Sequence, residues 1–511
     1  MMVARTHSVA LLGMTGSMVE VEADIGNGLP TLMIIGLPDT ALSDARDRVR
    51  AAANNSDCPL PTSKITVNLS PAALPKHGST FDLAIAMAIL AAAGTISPES
   101  VERVVHLGEL SLDGRLRPMS GVLPAIAAAA RAGFQTFVVP AGNRQEASLV
   151  PGVRIVPVVS VRDAAIHHGA TFEPVVLDVL EGAEAQSSDE PHHELADVIG
   201  NNDAVLALVA AAAGGHHLFM LGPPGAGKTM LAMRLPGLLP DLDAASALEV
   251  SSVRSLAGAS VPRSLATRPP FESPHHTASA AALIGGGSKQ IRPGAAARAS
   301  HGVLFLDEAP EFAANVLDTL RQPLESGVIS IHRANAVARF PGRFQLVLAA
   351  NPCPCGQYGA AEMHCLCTPN ARRKYLARLS GPLLDRIDIQ VQVRRVTAAQ
   401  LRLGAIEERL TTAEARARVA EARSRMSRRL SGTPWRLNGE VLGTWLRTGP
   451  VKLARETTVV LDRALERGLI SMRGYDRILR VAWTLADLDG VDQPGSDQIG
   501  RALYLRKSSA A

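Results

Sequence analysis

Gly222-Pro-Pro-Gly-Ala-Gly-Lys-Thr229 is the stretch on which the fold turns. Its eight residues fit G-x-x-x-x-G-K-[ST], a loop whose backbone N–H groups cradle phosphates. The apolar run before it, His217-Leu-Phe-Met-Leu221, predicts a buried strand. The run after it, Met230-Leu-Ala-Met-Arg-Leu235, predicts the start of a helix. Phosphate binding needs that strand–loop–helix setting, because the helix N-terminus adds a field that favours anions. Gly222, Pro223, Pro224, Gly225, Ala226, Gly227, Lys228 and Thr229 are therefore expected to hold ATP. Lys228 would reach the β- and γ-phosphates, and the Thr229 hydroxyl would hold Mg2+.

Four elements downstream supply the rest of such a site. Gly302-Val-Leu-Phe-Leu-Asp307-Glu308 is an apolar strand that ends in two acids. Asp307 is placed to hold Mg2+ and Glu308 to polarise the attacking water. Phe344-Gln-Leu-Val-Leu-Ala-Ala350 is a further buried strand, followed by Asn351. Asn351 either orients the lytic water or forms a turn before Pro352. In Ser380-Gly-Pro-Leu-Leu-Asp385-Arg386-Ile-Asp388, Arg386 either reaches a neighbouring subunit's nucleotide as an arginine finger or pairs with Asp385 or Asp388. In Ser471-Met-Arg473-Gly-Tyr-Asp-Arg477-Ile-Leu-Arg480, Arg473 opens a helix that folds back over the nucleotide, or is simply solvated.

Length and composition bound the setting. A chain of 511 residues exceeds one core, so about two to four domains are expected. With 47% hydrophobic and 20% charged residues it reads as a folded soluble protein. A net charge of +4 is too small to demand a nucleic-acid partner, so any such contact must come from local clusters. No apolar run is long enough to span a membrane, and the first residues lack the order of a signal peptide, so a cytoplasmic location is expected.

Three blocks follow along the chain. Residues 1–171 carry strand patterns at 18–23, 31–35, 64–68 and 136–139 and helical patterns at 41–53 and 82–90, which predicts a mixed α/β domain. Residues 172–193 read as a linker, polar from Glu181 to His193. Residues 194–396 alternate strands and helices around the P-loop, and 397–511 show helical periodicity only.

Four of the 5 cysteines crowd into two C-x-C pairs, Cys353/Cys355 and Cys365/Cys367. Four thiolates suit a closed, structural tetrahedral Zn2+ site, with His364 as a spare ligand. Four reduced thiols packed in a loop is the plainer alternative. Basic residues gather in two places. His332, Arg333, Arg339 and Arg343 lie on a predicted hairpin, where they track a phosphate backbone or are solvated. Arg416, Arg418, Arg423, Arg425, Arg428 and Arg429 lie on a predicted helix and read better as a solvated face.

The order of P-loop, acidic strand, Asn351, Arg386 and helical tail resembles the AAA+ ATPases. Pro274-His275-His276-Thr277, Gly285-Gly-Gly287, Asn351-Pro-Cys-Pro-Cys-Gly356 and Leu383-Leu-Asp-Arg-Ile-Asp388 narrow the resemblance to the magnesium-chelatase-like YifB/ComM family, over nearly the whole chain. That resemblance implies a homo-oligomeric ring, most simply a hexamer, with nucleotide between subunits. It implies that Arg386 is a finger acting in trans and Arg473 a second sensor on a C-terminal lid. It also implies a helicase or branch-migration motor acting on DNA recombination intermediates, as in natural transformation. Two other readings are a magnesium-chelatase motor subunit and an ATP-driven remodeller of protein complexes.

The N-terminal block has its own resemblance. Leu74-Pro-Lys-His-Gly-Ser-Thr-Phe-Asp-Leu83 and Leu112-Asp-Gly-Arg-Leu-Arg-Pro-Met-Ser-Gly121 look like the proteolytic domain of Lon-type proteases. That fold uses a Ser nucleophile activated by Lys. Here the Ser position falls at Thr80 and the Lys position at Leu123, so a Lon-like scaffold without protease activity is expected.

Overall fold

A computed structural model describes residues 3–36, 39–72, 74, 76, 79–181, 193–259, 261–262, 264–287, 291–333, 336–358, 365–404 and 408–507. Most of the linker, 182–192, and His364 lie outside them.

The N-terminal block is built on a seven-stranded mixed sheet. Its order is Thr31–Ile35, Lys64–Ser70, Thr15–Gly26, Ala4–Leu12, Val104–His106, Thr136–Pro140 and Arg154–Val158. Pairing is antiparallel on both sides of Thr15–Gly26 and parallel elsewhere. Alternation sets the faces: Val19, Val21 and Ala23 are buried, while Glu20 and Glu22 between them reach the open side. Helix Asp82–Ala92 is buried around its whole circumference from Asp82 to Ala91, which is why its sequence is apolar on every face.

The four predicted strands and two predicted helices of this block are present. Ala4–Leu12 was not foreseen as a strand. It carries Thr6 and Ser8 at fully buried positions, so its inward face does not read as apolar. Thr6 Oγ1 lies 3.1 Å from the Val101 carbonyl and 2.8 Å from His106 Nδ1, so its hydroxyl is satisfied inside.

The P-loop block is a five-stranded parallel sheet in the order Phe271–Glu272, Val303–Leu306, Gln345–Ala350, Leu218–Leu221, Ile389–Gln392. The three central strands are buried at every residue, and a parallel sheet covered on both faces needs continuous apolar runs. The C-terminal block contains helices Thr412–Arg429, Gly443–Thr448, Arg455–Glu466, Met472–Asp489 and Ser496–Lys507, with no strand among the described residues. A capping box starts the first of them: the Thr411 hydroxyl accepts from the Glu414 N–H and the Glu414 carboxylate accepts in return.

A buried polar network fastens the helical block to the sheet. Asp388, just before the last strand, takes His216 Nδ1 at 2.9 Å and Arg477 Nη1 at 2.8 Å. His216 Nε2 lies 2.7 Å from Thr484 Oγ1 on helix Met472–Asp489. Burial opposes the Asp388 charge, but Arg477 and the His216 hydrogen bond outweigh it and hold the carboxyl well below the usual range. Asp388→Ala leaves the Arg477 guanidinium and His216 Nδ1 without their partner and should cost about 3–5 kcal/mol, read as a lower urea midpoint. A depressed carboxyl stabilises the fold above its unfolded pKa. That contribution should fade as pH falls below about 4 in the wild type and be missing from the variant.

Candidate nucleotide site

Parallel pairing aligns the ends of the central strands. Leu221 sits opposite Ala350, and Leu306 opposite Leu348. The residues that follow each strand therefore emerge at one edge of the sheet, where open α/β sheets bind ligands. Lys228 Nζ donates to the Gly222 carbonyl at 2.6 Å, the Pro223 carbonyl at 3.1 Å and Asn351 Oδ1 at 3.1 Å. Lys228 is only 7% exposed; burial lowers its pKa, against the opposing pull of Asp307 and Glu308. Thr229 Oγ1 donates to Asp307 Oδ2 at 2.7 Å. The P-loop, Asp307, Glu308 and Asn351 thus meet in one place.

Two residues near this place were not foreseen in these positions. Strand Phe271–Glu272 pairs in parallel with the acidic strand, Glu272 opposite Leu304. Four residues further along each chain stand His276 and Glu308, and His276 Nδ1 lies 3.4 Å from Glu308 Oε2. In the sequence His275-His276 stands out only as part of the family-like segment 274–277, and strand register reveals the contact. Arg395 Nε donates to the Pro224 carbonyl at 3.1 Å from beyond the last strand, and no motif in the sequence marks it.

Arg386 and Arg473 stand elsewhere in the chain. Arg386 donates to Glu325 and to the Pro382 carbonyl, and its Nε is buried without a partner. It pairs with neither Asp385 nor Asp388, the two partners considered from sequence. Burial lowers its pKa, as do the nearby charges of Arg321, Arg477 and Arg473. Arg473 donates to Asp385 Oδ2 at 3.2 Å and is 74% exposed at its side chain. Among the described residues, no hydrogen bond joins either arginine to the P-loop.

The four cysteines of the cluster converge. Cys353 Sγ lies 3.3 Å from Cys355 Sγ and 3.7 Å from Cys365 Sγ, and all four sulfurs fall within 4.8 Å of one another. A tetrahedral zinc with bonds of about 2.3 Å sets its sulfurs about 3.8 Å apart, so the cluster fits that metal. The loop also touches the nucleotide site. Gly356, at φ 76°, leaves room for Pro224: a Cβ there would lie 2.6 Å from the proline Cγ.

The basic segments divide. On helix Thr412–Arg429, Arg416 pairs with Asp241, Arg425 with Glu421 and Arg429 with Asp487. Arg423 donates to the Ala212 carbonyl, and burial pulls it down to about 10. Four of these six arginines are engaged within the fold, so the helix is neither a free binding face nor the solvated face expected from the sequence. On the hairpin Val328–Arg333/Ala336–Pro341 and just after it, His332, Arg333, Arg339 and Arg343 are all exposed. In the N-terminal block Leu123 is fully buried. Lys76 Nζ donates to the Pro71 and Gly36 carbonyls, and Ser79 pairs with Glu109. No hydrogen bond joins a hydroxyl to Lys76 among the described residues.

Comparison with known proteins agrees across the chain. Residues 194–401 match the family described as magnesium chelatase, subunit ChlI. Residues 21–143 match subunit ChlI of Mg-chelatase, and 409–506 match its C-terminal part. An uncharacterized protein of Mycobacterium tuberculosis is 48% identical over 514 residues, covering 100% of both chains. Competence protein ComM of Haemophilus influenzae is 39% identical over 507 residues, 99% of this chain and 98% of that one. The uncharacterized protein YifB of Escherichia coli is 39% identical over 498 residues, 95% of this chain and 93% of that one. A stretch of 88 residues, 17% of this chain and 10% of the other, is 35% identical to the Lon protease of Heliobacterium modesticaldum.

Proposed function

The chain belongs to the YifB/ComM family of magnesium-chelatase-like AAA+ ATPases, and we propose that it hydrolyses ATP in a hexameric ring of identical subunits to drive DNA branch migration or unwinding. In this reading 1–171 is a Lon-like domain without the Ser/Lys pair, 172–193 a linker, 194–396 the ATPase core and 397–511 a lid. The ring works in the cytoplasm. No helix among the described residues is long and apolar enough to cross a membrane.

One observation carries the ATPase reading: Thr229 on Asp307 and Lys228 on Asn351, side by side beyond three parallel strands. The hard oxygens of Thr229 and Asp307 suit Mg2+. When bound, that ion neutralises charge on the phosphates. Lys228 gives up its carbonyl acceptors to hold the β- and γ-phosphates. Glu308 takes the proton of the attacking water, and Asn351 orients that water. Arg386 has no hydrogen bond to its own P-loop among the described residues, and its Nε is left without a partner, which supports a finger acting on the neighbouring subunit. Arg473, exposed at the start of a lid helix, acts as the second sensor.

The DNA reading rests on the four exposed basic residues at the hairpin and on the full-length likeness to a protein described as a competence protein. Motor action in a magnesium chelatase is the second reading, favoured by the family descriptions. ATP turnover without DNA, with single-stranded DNA and with forked DNA separates the two. A DNA motor is stimulated, and the stimulation falls steeply between low and moderate salt. Turnover indifferent to both DNAs, with no salt-sensitive binding, rules out the DNA reading.

We assign the four cysteines to a structural Zn2+ that stiffens the loop between Asn351 and the P-loop. Metal analysis of reduced protein should find about one zinc per chain, lost in Cys353→Ser/Cys365→Ser. Reduced wild-type protein free of zinc contradicts the assignment.

A further inference from the structure

Among the described residues no hydroxyl of the N-terminal domain is hydrogen-bonded to Lys76, yet the domain reaches the hairpin that carries the basic residues. Its first two strands are joined by a turn at Gly13 and Met14. The Met14 N–H donates to the Arg339 carbonyl at 3.1 Å, and Gly13 forms a parallel bridge with Arg339. Leu11, Leu12 and Met14 then pack against the apolar cluster that includes Ile329, Ala338 and Phe340, the inward side chains of the hairpin. The turn therefore adds its backbone to the outer edge of the second hairpin strand, the edge not used by Val328–Arg333.

Gly13 is the residue that permits this. It sits at φ 61°, and a Cβ there would lie 2.6 Å from the Arg339 carbonyl oxygen and 2.9 Å from its nitrogen. Both nearest atoms are backbone, so no side-chain rotation relieves the clash. The far end of the hairpin has a separate tie, from the Arg333 guanidinium to the Gly287 carbonyl. His332, Arg333 and Arg339 are thus held between two anchors, one of them in another domain.

We propose that the N-terminal domain positions the DNA-contacting hairpin through the Gly13–Met14 turn, an inference that rests on the hairpin contacting DNA. The domain then acts as a fixed mount rather than as an enzyme. Energy from ATP hydrolysis moves the hairpin against this mount, so loosening it disconnects DNA from turnover while leaving the nucleotide site whole.

Gly13→Val and the milder Gly13→Ala test this in the full-length protein. A second contact between the domains supplies the control. The Ser255 hydroxyl accepts from the Gly121 N–H at 2.9 Å and donates to Glu146, and it makes no hydrogen bond to the hairpin among the described residues. Ser255→Ala removes these bonds and leaves Arg339 untouched. Hydrogen exchange at residues 336–341 should quicken in both Gly13 variants, more in Gly13→Val, and stay unchanged in Ser255→Ala. DNA-free ATP turnover should stay within about twofold of wild type, while stimulation by forked DNA drops at least about fivefold in Gly13→Val. Unchanged exchange overturns the anchor. Quickened exchange with stimulation intact overturns the proposed coupling and leaves the DNA motor standing. A wild-type protein that forked DNA does not stimulate sinks the DNA reading, and the coupling falls with it.

Discussion

Leu221, Leu306 and Ala350 finish their strands at one sheet edge because parallel pairing fixes Leu221 against Ala350 and Leu306 against Leu348. Everything chemical in the chain depends on that register. It sets the Thr229 hydroxyl 2.7 Å from Asp307 and the Lys228 ammonium 3.1 Å from Asn351, although 78 and 123 residues separate the partners. It also brings His276 to Glu308 by extension of the Glu272–Leu304 pairing. A slip of one residue in any of these strands would send each side chain to the opposite face of the sheet and break the site at the same time.

Around this edge the chain places polar groups with different tasks. Asp388 is buried and fully engaged by His216 and Arg477, which makes it a fastener between the sheet and the helical block. Two residues before it, Arg386 is only loosely provided for: its Nε has no partner and its other nitrogens bind Glu325 and a carbonyl. Two residues only one position removed from adjacency thus divide into one that holds the fold and one whose bonding within the chain is incomplete. The cysteine loop belongs to the same edge, since it starts at Asn351 and lies on Pro224 through Gly356.

The strands of the P-loop block were legible because a parallel sheet buried on both faces demands unbroken apolar runs, and the sequence between Val303 and Leu306 or Gln345 and Ala350 has nothing else to be. Ala4–Leu12 was hidden because its buried Thr6 and Ser8 break the apolar alternation that a reader looks for. Strand Phe271–Glu272 is two residues long, too short for any periodicity, so the position of His276 was hidden with it. The P-loop and its acids announced themselves by spacing. Glu325 beside Arg386, Pro224 beside Arg395 and Arg339 beside Gly13 lie far off in sequence, and only the folded chain supplies them. The arginines of helix Thr412–Arg429 show the reverse case. Their number suggests a binding face, and their pairing with Asp241, Glu421 and Asp487 removes most of them from it.

The proposed ring motor requires a nucleotide site completed by the neighbouring subunit. Lys228→Ala removes the phosphate clamp and Arg386→Ala removes the finger, so each variant alone should be inactive. Mixed in equal amounts and allowed to exchange subunits, they should regain about a quarter of wild-type ATP turnover, the share of sites with an intact clamp beside an intact finger. A mixture as inactive as its two components, in rings shown to contain both, contradicts a finger acting in trans.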